Sequence, residues 1–472
     1  MQRAIENIEK NFEKRDLEDL KALARIPSVS FDGFPKENVS KSAEAVAALL
    51  KRRGLENVQI LTVGDAHPYV YAERLKAPGR PTLLLYAHHD VQPPGRADVW
   101  KTDPFEPVIK QGPGGDRLYG RGTADDKAGI IVHASAISSF LETVGELPVN
   151  VKMVIEGEEE IGSSHLPLFL KTHRKLLDAD VLVLTDTGNF DIGVPSLTIG
   201  LRGLTGVEVE VRALTKTVHS GVFGGPIPDP AMALSKMLAT LVDDQGKIAV
   251  PGVLEQVKPL SAREIEEFKR VPYNDAEFRE QSGLIPEARM FEPQLGSSKD
   301  ISPLIQTWRM PALTVNGVQA SSRAQPGNII CDVAWAKVTI RLVAGMDPEK
   351  TLGLLKDHLR KQVPWGLTVD FKTEAAGPAW STEPVGPAFD LARKALKAGY
   401  GKEPLMIACG GSIPFVKPFA DALGGAPALL IGVEDPYTNA HGENESVLIS
   451  DLKKACLAQA HLFAELGERY KR

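Results

Sequence analysis

Apolar runs alternate with amphipathic stretches along much of this chain. Four of the runs are mostly apolar and short: 81–87 (PTLLLYA), 150–157 (NVKMVIEG), 179–185 (ADVLVLT) and 426–433 (APALLIGV). Runs of this kind predict strands that are buried on both faces of a mostly parallel sheet. Stretches with the periodicity of an amphipathic helix come after several of these runs, as at 126–143 and 447–469. The alternation predicts a doubly wound α/β layer.

The pattern changes in the middle of the chain. Apolar and polar residues alternate there in three stretches: 196–214, 332–343 and 367–373. Such alternation is typical of antiparallel strands with one exposed face. Amphipathic helical stretches lie between them. We therefore predict an inserted α+β domain at 200–375 and a discontinuous α/β domain made of 1–199 and 376–472.

Residues 91–119 are rich in proline and glycine, and they predict a long irregular loop. Long loops inside compact domains are more often functional than accidental. This loop leads directly into the acidic segment GRGTADDKAG, which opens the helix predicted at 126–143.

Composition narrows the class of protein. The chain has 472 residues and a formal net charge of −6, which does not favour a nucleic-acid partner. No segment is apolar and long enough to span a bilayer, and the charged N-terminus lacks the apolar core of a signal peptide. The three cysteines, Cys331, Cys409 and Cys456, are far apart and form no CxxC pair. We therefore expect a cytoplasmic protein without a disulfide framework.

Residue types that bind metal ions follow the predicted buried strands. They are His88 and Asp90 after the first strand, Glu158, Glu159 and Glu160 after the second, Asp186 after the third and His441 after the fourth. In sheets of this kind the carboxyl ends of the strands open onto the ligand site, so these side chains would converge. Carboxylates and imidazoles together suit divalent metal ions and metal-assisted hydrolysis.

Each of these residues also has an ordinary interpretation, which for His88 and Asp90 is a polar strand end that binds no ligand. Asp125 and Asp126 stand at a predicted helix start, where aspartate is a favoured N-cap; with Asp126 as the cap, Asp125 could reach a metal ion. The run Glu158–Glu160 alone is typical of a solvated surface, and Asp186 alone of a turn. His441 lies in a polar loop, where an exposed histidine is the usual case. Their joint occurrence at strand ends is what favours a metal site.

Spacing suggests how roles could divide among neighbours. His88 and Asp90 are two residues apart, so in an extended strand they face the same side. Asp90 could then hold the second imidazole nitrogen of His88, while His89 points away and is expected to be structural. Of two neighbouring glutamates, one could bind metal and the other act as a general base.

Seven motifs, in order, resemble the landmarks of peptidase family M-20, which contains dinuclear-metal peptidases. They are YAHHDVQPP, LYGRGTADDKAG, EGEEEIGSSHL, TDTG, VHSGVFGG, GGSIP and NAHGENE. The motifs VQPP, VHSGVFGG and GGSIP look most like the carnosinase and cytosolic nonspecific dipeptidase branch. The resemblance implies a zinc-peptidase-like catalytic domain whose inserted lid dimerises.

The resemblance also implies a role for each residue of the site. The metal ligands would be His88, Asp125, Glu160, Asp186 and His441. Asp125 would bridge two ions, with His88 and Asp186 on one and Glu160 and His441 on the other. The peptide bond after the bridging aspartate would be cis. Asp90 would orient His88, and Glu159 would be the general base for attack by a hydroxide that bridges the ions.

Substrate recognition would come mainly from the inserted domain. His219 would reach across a homodimer to the oxyanion of the transition state, and Arg341 would hold the substrate carboxylate. Gly411 and Ser412 could donate to the same group. Asn328 stands where the branch has a small hydroxyl residue, and Cys409 stands where it usually has a charge.

The expected cofactors are two divalent ions per subunit, zinc first, with manganese or cobalt as alternatives. The expected substrate is a small peptide with a free carboxylate, and no nucleic acid or membrane is expected to bind. Two alternatives remain open, namely an N-acyl-amino-acid deacylase of the same family and a non-catalytic metal-binding relative.

Overall fold

The computed structural model describes residues 1–297, 301–323, 326–374, 376–410 and 416–470. The chain divides into two compact units. The first contains Met1–Ile199 and Glu383–Ile407 together with the C-terminal part of the chain from Val416 onward, and the second contains Gly200–Thr382 together with a short piece that begins at Ala408.

The N-terminal part of the first unit contains both helices and strands. They are α1 (Gln2–Asn11), α2 (Leu17–Ala24), α3 (Lys36–Arg52), β1 (Glu56–Leu61), β2 (Tyr69–Arg74), β3 (Thr82–His88), β4 (Val108–Gly112), β5 (Gly115–Tyr119), α4 (Lys127–Thr143), β6 (Asn150–Glu156), α5 (Leu166–Thr172), α6 (Arg174–Leu177), β7 (Val181–Leu184) and β8 (Ser196–Leu201). A single 3-10 turn, Glu159–Ile161, follows β6.

The second unit is built of antiparallel strands and short helices. They are β9 (Gly203–Arg212), β10 (Val218–His219), α7 (Ser220–Phe223), α8 (Pro230–Ala239), α9 (Ala262–Phe268), α10 (Asp275–Ser282), α11 (Pro303–Arg309), β11 (Ala312–Gln319), β12 (Ile329–Ile330), β13 (Val333–Leu342), α12 (Pro348–Lys361), β14 (Thr368–Thr373) and β15 (Trp380–Ser381). Its main sheet has the order β11-β13-β9-β14, and β10 pairs with β12 in a separate ribbon.

Most of the rest of the chain completes the first unit. Its elements are α13 (Pro387–Tyr400), β16 (Leu405–Cys409), α14 (Val416–Ala422), β17 (Ala428–Leu430), β18 (Ser446–Leu448) and α15 (Ile449–Arg469). Strand β18 pairs with β5, and β5 pairs with β4, in a small antiparallel sheet. The last strand of the chain therefore returns to the segment that precedes α4.

The large sheet of the first unit has a parallel centre. Its order includes β1-β2-β6-β3-β7-β17-β8, and the pairs β6–β3, β3–β7 and β7–β17 are parallel. Strand β3 is the middle of this group, and Leu83, Leu84 and Leu85 on it are completely buried. Burying one leucine side chain contributes about 1.5–3 kcal/mol, so strand centres of this kind hold the sheet together. The predicted α/β class is confirmed.

Two local predictions were wrong. Residues 108–119 are not irregular, because β4 and β5 form a hairpin around Gly114 and Gly115, both of which have positive φ. The stretch 196–214 is not one half-exposed strand. It breaks at Arg202 into β8, which is buried at every position, and β9, which lies in the sheet of the second unit. Among the described residues, no helix is long and apolar enough to cross a membrane.

Candidate metal centre

Neighbouring strands of the parallel centre deliver polar side chains to one edge of the sheet. His88 is the last residue of β3 and pairs with Glu156, the last residue of β6. The 3-10 turn carries Glu159 and Glu160 directly beyond β6, and Asp186 follows β7. Because β6, β3 and β7 are adjacent and parallel, their carboxyl ends meet at this edge.

Asp125 lies between two histidines. Its Oδ1 is 3.0 Å from His88 Nε2, and its Oδ2 is 3.0 Å from His441 Nε2. Asp186 Oδ1 is 3.7 Å from His88 Nε2, and Glu160 Oε2 is 3.3 Å from His441 Nε2. The five residues predicted as ligands therefore lie together in two groups. One oxygen of Asp125 faces His88, which also lies near Asp186, and its other oxygen faces His441, which also lies near Glu160.

The donor atoms fit divalent cations. One set of ligand atoms, from His88, Asp125 and Glu160, lies within 4.8 Å of one another. Burial raises the pKa of Glu160, and the negative charge of Asp125 raises it further. Burial and the same charge also raise the pKa of Asp186. Carboxylates crowded in this way repel one another, and cations between them would relieve the repulsion.

Asp126 has a place in the cluster that the sequence prediction did not give it. It stands at the N-cap position of α4, but its side chain makes no capping hydrogen bond, so the prediction that it caps the helix was wrong. Its Oδ2 accepts the backbone N–H of His88 at 3.3 Å, and its buried Oδ1 has no hydrogen-bond partner among the described residues. With His88 and Asp186 it forms a second group able to hold a metal ion. The Asp125–Asp126 peptide bond is cis.

Asp90 contacts both sides of the cluster. Its backbone oxygen is 3.1 Å from His88 Nδ1, and its Oδ1 is 3.4 Å from the same nitrogen. Its Oδ1 also accepts the backbone N–H of Glu159 at 3.2 Å, while its Oδ2 accepts that of Glu160 at 3.1 Å and the hydroxyl of Ser30 at 2.7 Å. Nδ1 of His88 is therefore turned toward acceptors, which leaves Nε2 for a metal ion.

The three consecutive glutamates have three different environments. Glu160 accepts hydrogen bonds from the backbone N–H and the side-chain amide of Gln92, at 3.1 and 2.7 Å. Burial raises the pKa of Glu159, and the charges of Asp186 and Asp125 add to the rise. Such a carboxyl group holds a proton more readily than an exposed glutamate does.

Glu158 belongs to another network. It accepts hydrogen bonds from Tyr69 at 3.2 Å and from the backbone of His165 at 2.9 Å, and its Oε2 lies 3.0 Å from His165 Nδ1. His89 likewise turns away from the cluster, with Nε2 at 2.9 Å from the backbone oxygen of Pro68. Burial lowers the pKa of His89 to about 4, so it is a neutral structural residue, as expected.

Three residues of the site were missed in the sequence. Gln92 contacts Glu160, and the buried pair Arg121–Glu445 contacts the segments that carry Asp125 and His441. All three lie inside motifs named above, Gln92 in YAHHDVQPP, Arg121 in LYGRGTADDKAG and Glu445 in NAHGENE, which is the signal that could have found them. The sequence alone does not tell which of the two glutamates in NAHGENE is buried.

In the second unit, His219 and Asn328 are neighbours. His219 pairs with Ile329 in the β10–β12 ribbon, and the backbone oxygen of Asn328 accepts the N–H of Ser220 at 3.0 Å. The imidazole of His219 is exposed, and its Nδ1 accepts the N–H of Gly221 at 3.0 Å. The ribbon thus holds the histidine at the start of an exposed turn.

Arg341 lies near the end of β13, opposite Leu204 of β9. Burial and the positive charge of Arg341 together lower the pKa of nearby Arg202 to about 10. The Nε of Arg202 donates to the backbone oxygen of Gly410 at 3.2 Å. Two guanidinium groups are therefore close to each other beside the start of GGSIP. The predicted residues Gly411 and Ser412 lie outside the described residues.

Comparison with known proteins identifies the class. The model of Peptidase family M20/M25/M40 matches residues 84–465, and the chain belongs to this family. It is a metallopeptidase. A particularly similar relative is cysteinylglycine-S-conjugate dipeptidase from Corynebacterium striatum, 32% identical over 432 residues that cover 91% of this chain and 90% of the relative. Human Beta-Ala-His dipeptidase is 32% identical over 389 residues, which cover 80% of this chain and 74% of that protein.

Solved structures agree with this assignment. The dipeptidase Dug1p from Saccharomyces cerevisiae matches with a TM-score of 0.86 and 27% identity, over 100% of this chain and 99% of the other. Human carnosine dipeptidase 1 matches with a TM-score of 0.83 and 27% identity, over 99% of this chain and 98% of the other. The resemblance found in the motifs is therefore confirmed over the whole chain.

Proposed function

We propose that this protein hydrolyses dipeptides that carry a free C-terminal carboxylate, with two divalent metal ions per subunit. The observation that carries the proposal is the position of Asp125, whose two oxygens each lie 3.0 Å from a different histidine. The dipeptidase names of the relatives support the substrate class. The ions are proposed to be zinc, with manganese or cobalt as alternatives, because the donors are imidazole nitrogens and carboxylate oxygens.

The proposed ligands divide between the two ions. His88 and Asp186 would hold one ion, Glu160 and His441 the other, and Asp125 both. When bound, two such ions polarise a scissile carbonyl and lower the pKa of water. The protein's part is to keep the five side chains close before substrate arrives, and the hydrogen bonds of Asp90 and Gln92 serve this purpose.

Glu159 is the proposed general base. It would accept a proton from the attacking water and pass it to the leaving amine. The support for the role is positional. The backbone N–H of Glu159 is fixed by Asp90, and its carboxyl group is buried within range of the charges of Asp186 and Asp125, so it lies beside the proposed ligands.

The second unit is proposed to recognise the substrate. Arg341 would bind the C-terminal carboxylate, with Asn328, Gly411 and Ser412 as further donors, and His219 would donate to the transition-state oxyanion of a partner subunit. Dimerisation through this unit is supported by Val222 and Phe223, which are 69% and 47% exposed on α7 directly after His219. Contiguous exposed apolar side chains are typical of interaction sites.

We also propose that the protein works in the cytoplasm. Its three cysteines, Cys331, Cys409 and Cys456, are free thiols. A reducing compartment keeps such thiols from forming disulfides with other chains.

The test is a substrate panel combined with metal analysis. The metal-free protein would be reloaded with zinc, manganese or cobalt and assayed on dipeptides and on acetyl- and succinyl-amino acids. We expect about two ions per chain and turnover of dipeptides but not of acyl-amino acids. Preferential turnover of acyl-amino acids would identify a deacylase instead, and one ion or none per chain would contradict the bridging role of Asp125.

A further inference from the structure

The side chain of Glu445 is completely buried and accepts four hydrogen bonds. Its Oε1 accepts the backbone N–H groups of Ala124 at 3.0 Å and Asp125 at 3.1 Å. Its Oε2 accepts the N–H of Gly122 at 2.9 Å and Nη1 of Arg121 at 2.7 Å. One carboxylate therefore fixes the backbone of the segment that ends in Asp125.

Arg121 extends the contact to a second ligand-bearing segment. Its Nη2 donates to the backbone oxygen of His441 at 3.1 Å and to that of Pro93 at 3.1 Å. His441 and Asp125 come from opposite ends of the first unit's sequence, separated by the whole second unit. The Arg121–Glu445 pair connects the backbones of both.

We propose that Arg121 and Glu445 are positioning residues that set the metal affinity of the centre by fixing the separation of Asp125 and His441. Neither side chain is a metal ligand. The proposal rests on the two-metal site of the proposed function. The pair matters most for the ion assigned to Glu160 and His441. Two of that ion's three proposed ligands, Asp125 and His441, lie on backbone that the Arg121–Glu445 pair holds.

The physical reason is the cost of a loosely held ligand. A metal ion binds tightly when its donors are already at the right separation, because no free energy is then used to order them. Groups that orient metal ligands without touching the ion typically change the affinity by about 10- to 100-fold when they are removed. Stability alone does not explain the pair, because buried ion pairs are often no more stabilising than apolar residues.

Glutamine is an informative replacement for Glu445. All four partners of the carboxylate are N–H donors, and an amide offers only one oxygen. Whichever way the amide turns, its NH₂ group faces either the N–H groups of Ala124 and Asp125 or those of Gly122 and Arg121. Glu445→Gln therefore keeps the size of the side chain and releases one half of the contact.

The chain offers a matched control in the pair Arg117–Asp435. Arg117 donates to both oxygens of Asp435, at 2.9 and 3.2 Å, and both side chains are almost completely buried. Asp435 lies on the same C-terminal segment as His441 and Glu445. Among the described residues, no hydrogen bond joins either residue of this pair to the backbone of Asp125 or His441. Asp435→Asn thus removes a charge from a similar pair without touching either ligand-bearing backbone.

The experiment is a zinc titration of the metal-free full-length chain, by calorimetry and against a chromophoric chelator. We expect Glu445→Gln to bind one ion near the original affinity and the second about 10- to 100-fold more weakly. Asp435→Asn should bind both ions as the unsubstituted protein does. Because no substrate is involved, the readout is independent of turnover.

Two results would overturn the proposal: an unchanged zinc affinity in Glu445→Gln, or an equal loss of zinc affinity in Asp435→Asn.

If circular dichroism shows that Glu445→Gln does not fold, the zinc affinity of Arg121→Lys is the test instead. Lysine keeps the charge, but its single ammonium group cannot reproduce the fork that reaches both Glu445 and His441. Unchanged zinc affinity in Arg121→Lys would then overturn the proposal. If the unsubstituted protein binds two zinc ions and neither variant changes the zinc affinity, this inference alone is refuted. If the unsubstituted protein binds no zinc at all, the proposed function is refuted.

Discussion

The carboxylate of Asp90 accepts the backbone N–H of Glu160 at 3.1 Å. Asp90 comes directly after β3 and Glu160 after β6, so this hydrogen bond joins the ends of two adjacent parallel strands. The same side chain lies beside His88 and accepts the N–H of Glu159. One buried carboxylate thus contacts two proposed ligands, His88 at the end of β3 and Glu160 in the turn beyond β6, together with the proposed base Glu159.

Asp90→Asn should weaken both metal binding and turnover. The amide has one acceptor oxygen, so its NH₂ group must face the N–H of either Glu159 or Glu160. We expect zinc affinity to fall by about 10- to 100-fold, measured by titration of the metal-free protein. Ser30→Ala is the control, since it removes only the hydroxyl contact with Asp90 and should leave the affinity unchanged at a cost in stability of about 1 kcal/mol. Full affinity in Asp90→Asn would refute the role.

Glu159→Gln should keep its metal and lose its activity. A glutamine side chain cannot accept the proton, and loss of a general base typically costs about 10²- to 10⁴-fold in rate. Zinc content and kcat on the best dipeptide are the measurements. Glu158→Gln is the matched control, because Glu158 contacts Tyr69 and His165 instead of the cluster. Full activity in Glu159→Gln, or an equal loss in Glu158→Gln, would count against the assignment.

The free energy of unfolding should depend on His133 below neutral pH. Burial lowers the pKa of His133 from its ordinary value of 6.5 to about 4, so the folded state binds fewer protons than the unfolded state in this range. Its contribution to stability is present above pH 6.5 and is lost as the pH falls toward 4. Relative to His133→Gln, the unsubstituted protein should lose up to about 1.4 kcal/mol per pH unit there.

Urea unfolding of the metal-free proteins between pH 4 and pH 8 measures this difference. Glutamine was chosen because it does not titrate and can still donate to the backbone oxygen of Tyr86, which lies 3.2 Å from His133 Nε2. A difference in stability that stays constant over the whole range would show that His133 is protonated equally in both states.

His219→Ala should lose activity that a second subunit can restore. If His219 acts across a dimer, mixing His219→Ala with Glu159→Gln creates one site that has both a Glu159 and a partner's histidine. We expect the mixture, after subunit exchange, to be more active than either variant alone. Activity that stays at the level of the single variants, although mixed dimers have formed, would place the histidine's action within its own chain.

Much of the first unit could be predicted from hydrophobic pattern. The buried runs mark β3, β6 and β7, and the polar residues after them meet because parallel strands end at the same edge. The predicted ligands Asp125 and His441 were candidates on the same pattern, but a helix cap and an exposed loop histidine explained them equally well, and their roles came from the family resemblance. Both lie in glycine-containing loops, where local sequence does not determine the direction of a side chain.

The misses have physical causes. The hairpin at 108–119 was obscured by prolines and glycines that, in this case, form its turn. Asp126 looked like a helix cap because aspartate at a helix start is favoured locally, whereas a tertiary contact with His88 decides its orientation. Glu443 and Glu445 are indistinguishable as letters, yet Glu443 pairs with Arg96 near the surface while Glu445 is buried.

The separation of Asp125 from His441 along the chain has a consequence for biosynthesis. During translation β3, β6 and β7 can be made early, but the second unit must be synthesised before the segment that carries His441 leaves the ribosome. Until then Asp125 can contact only the ligand residues that precede the second unit in the chain, such as His88 and Glu160. Metal uptake at the complete centre is therefore a late event, and a chain that stops short of its last strands would lack the residues that close it.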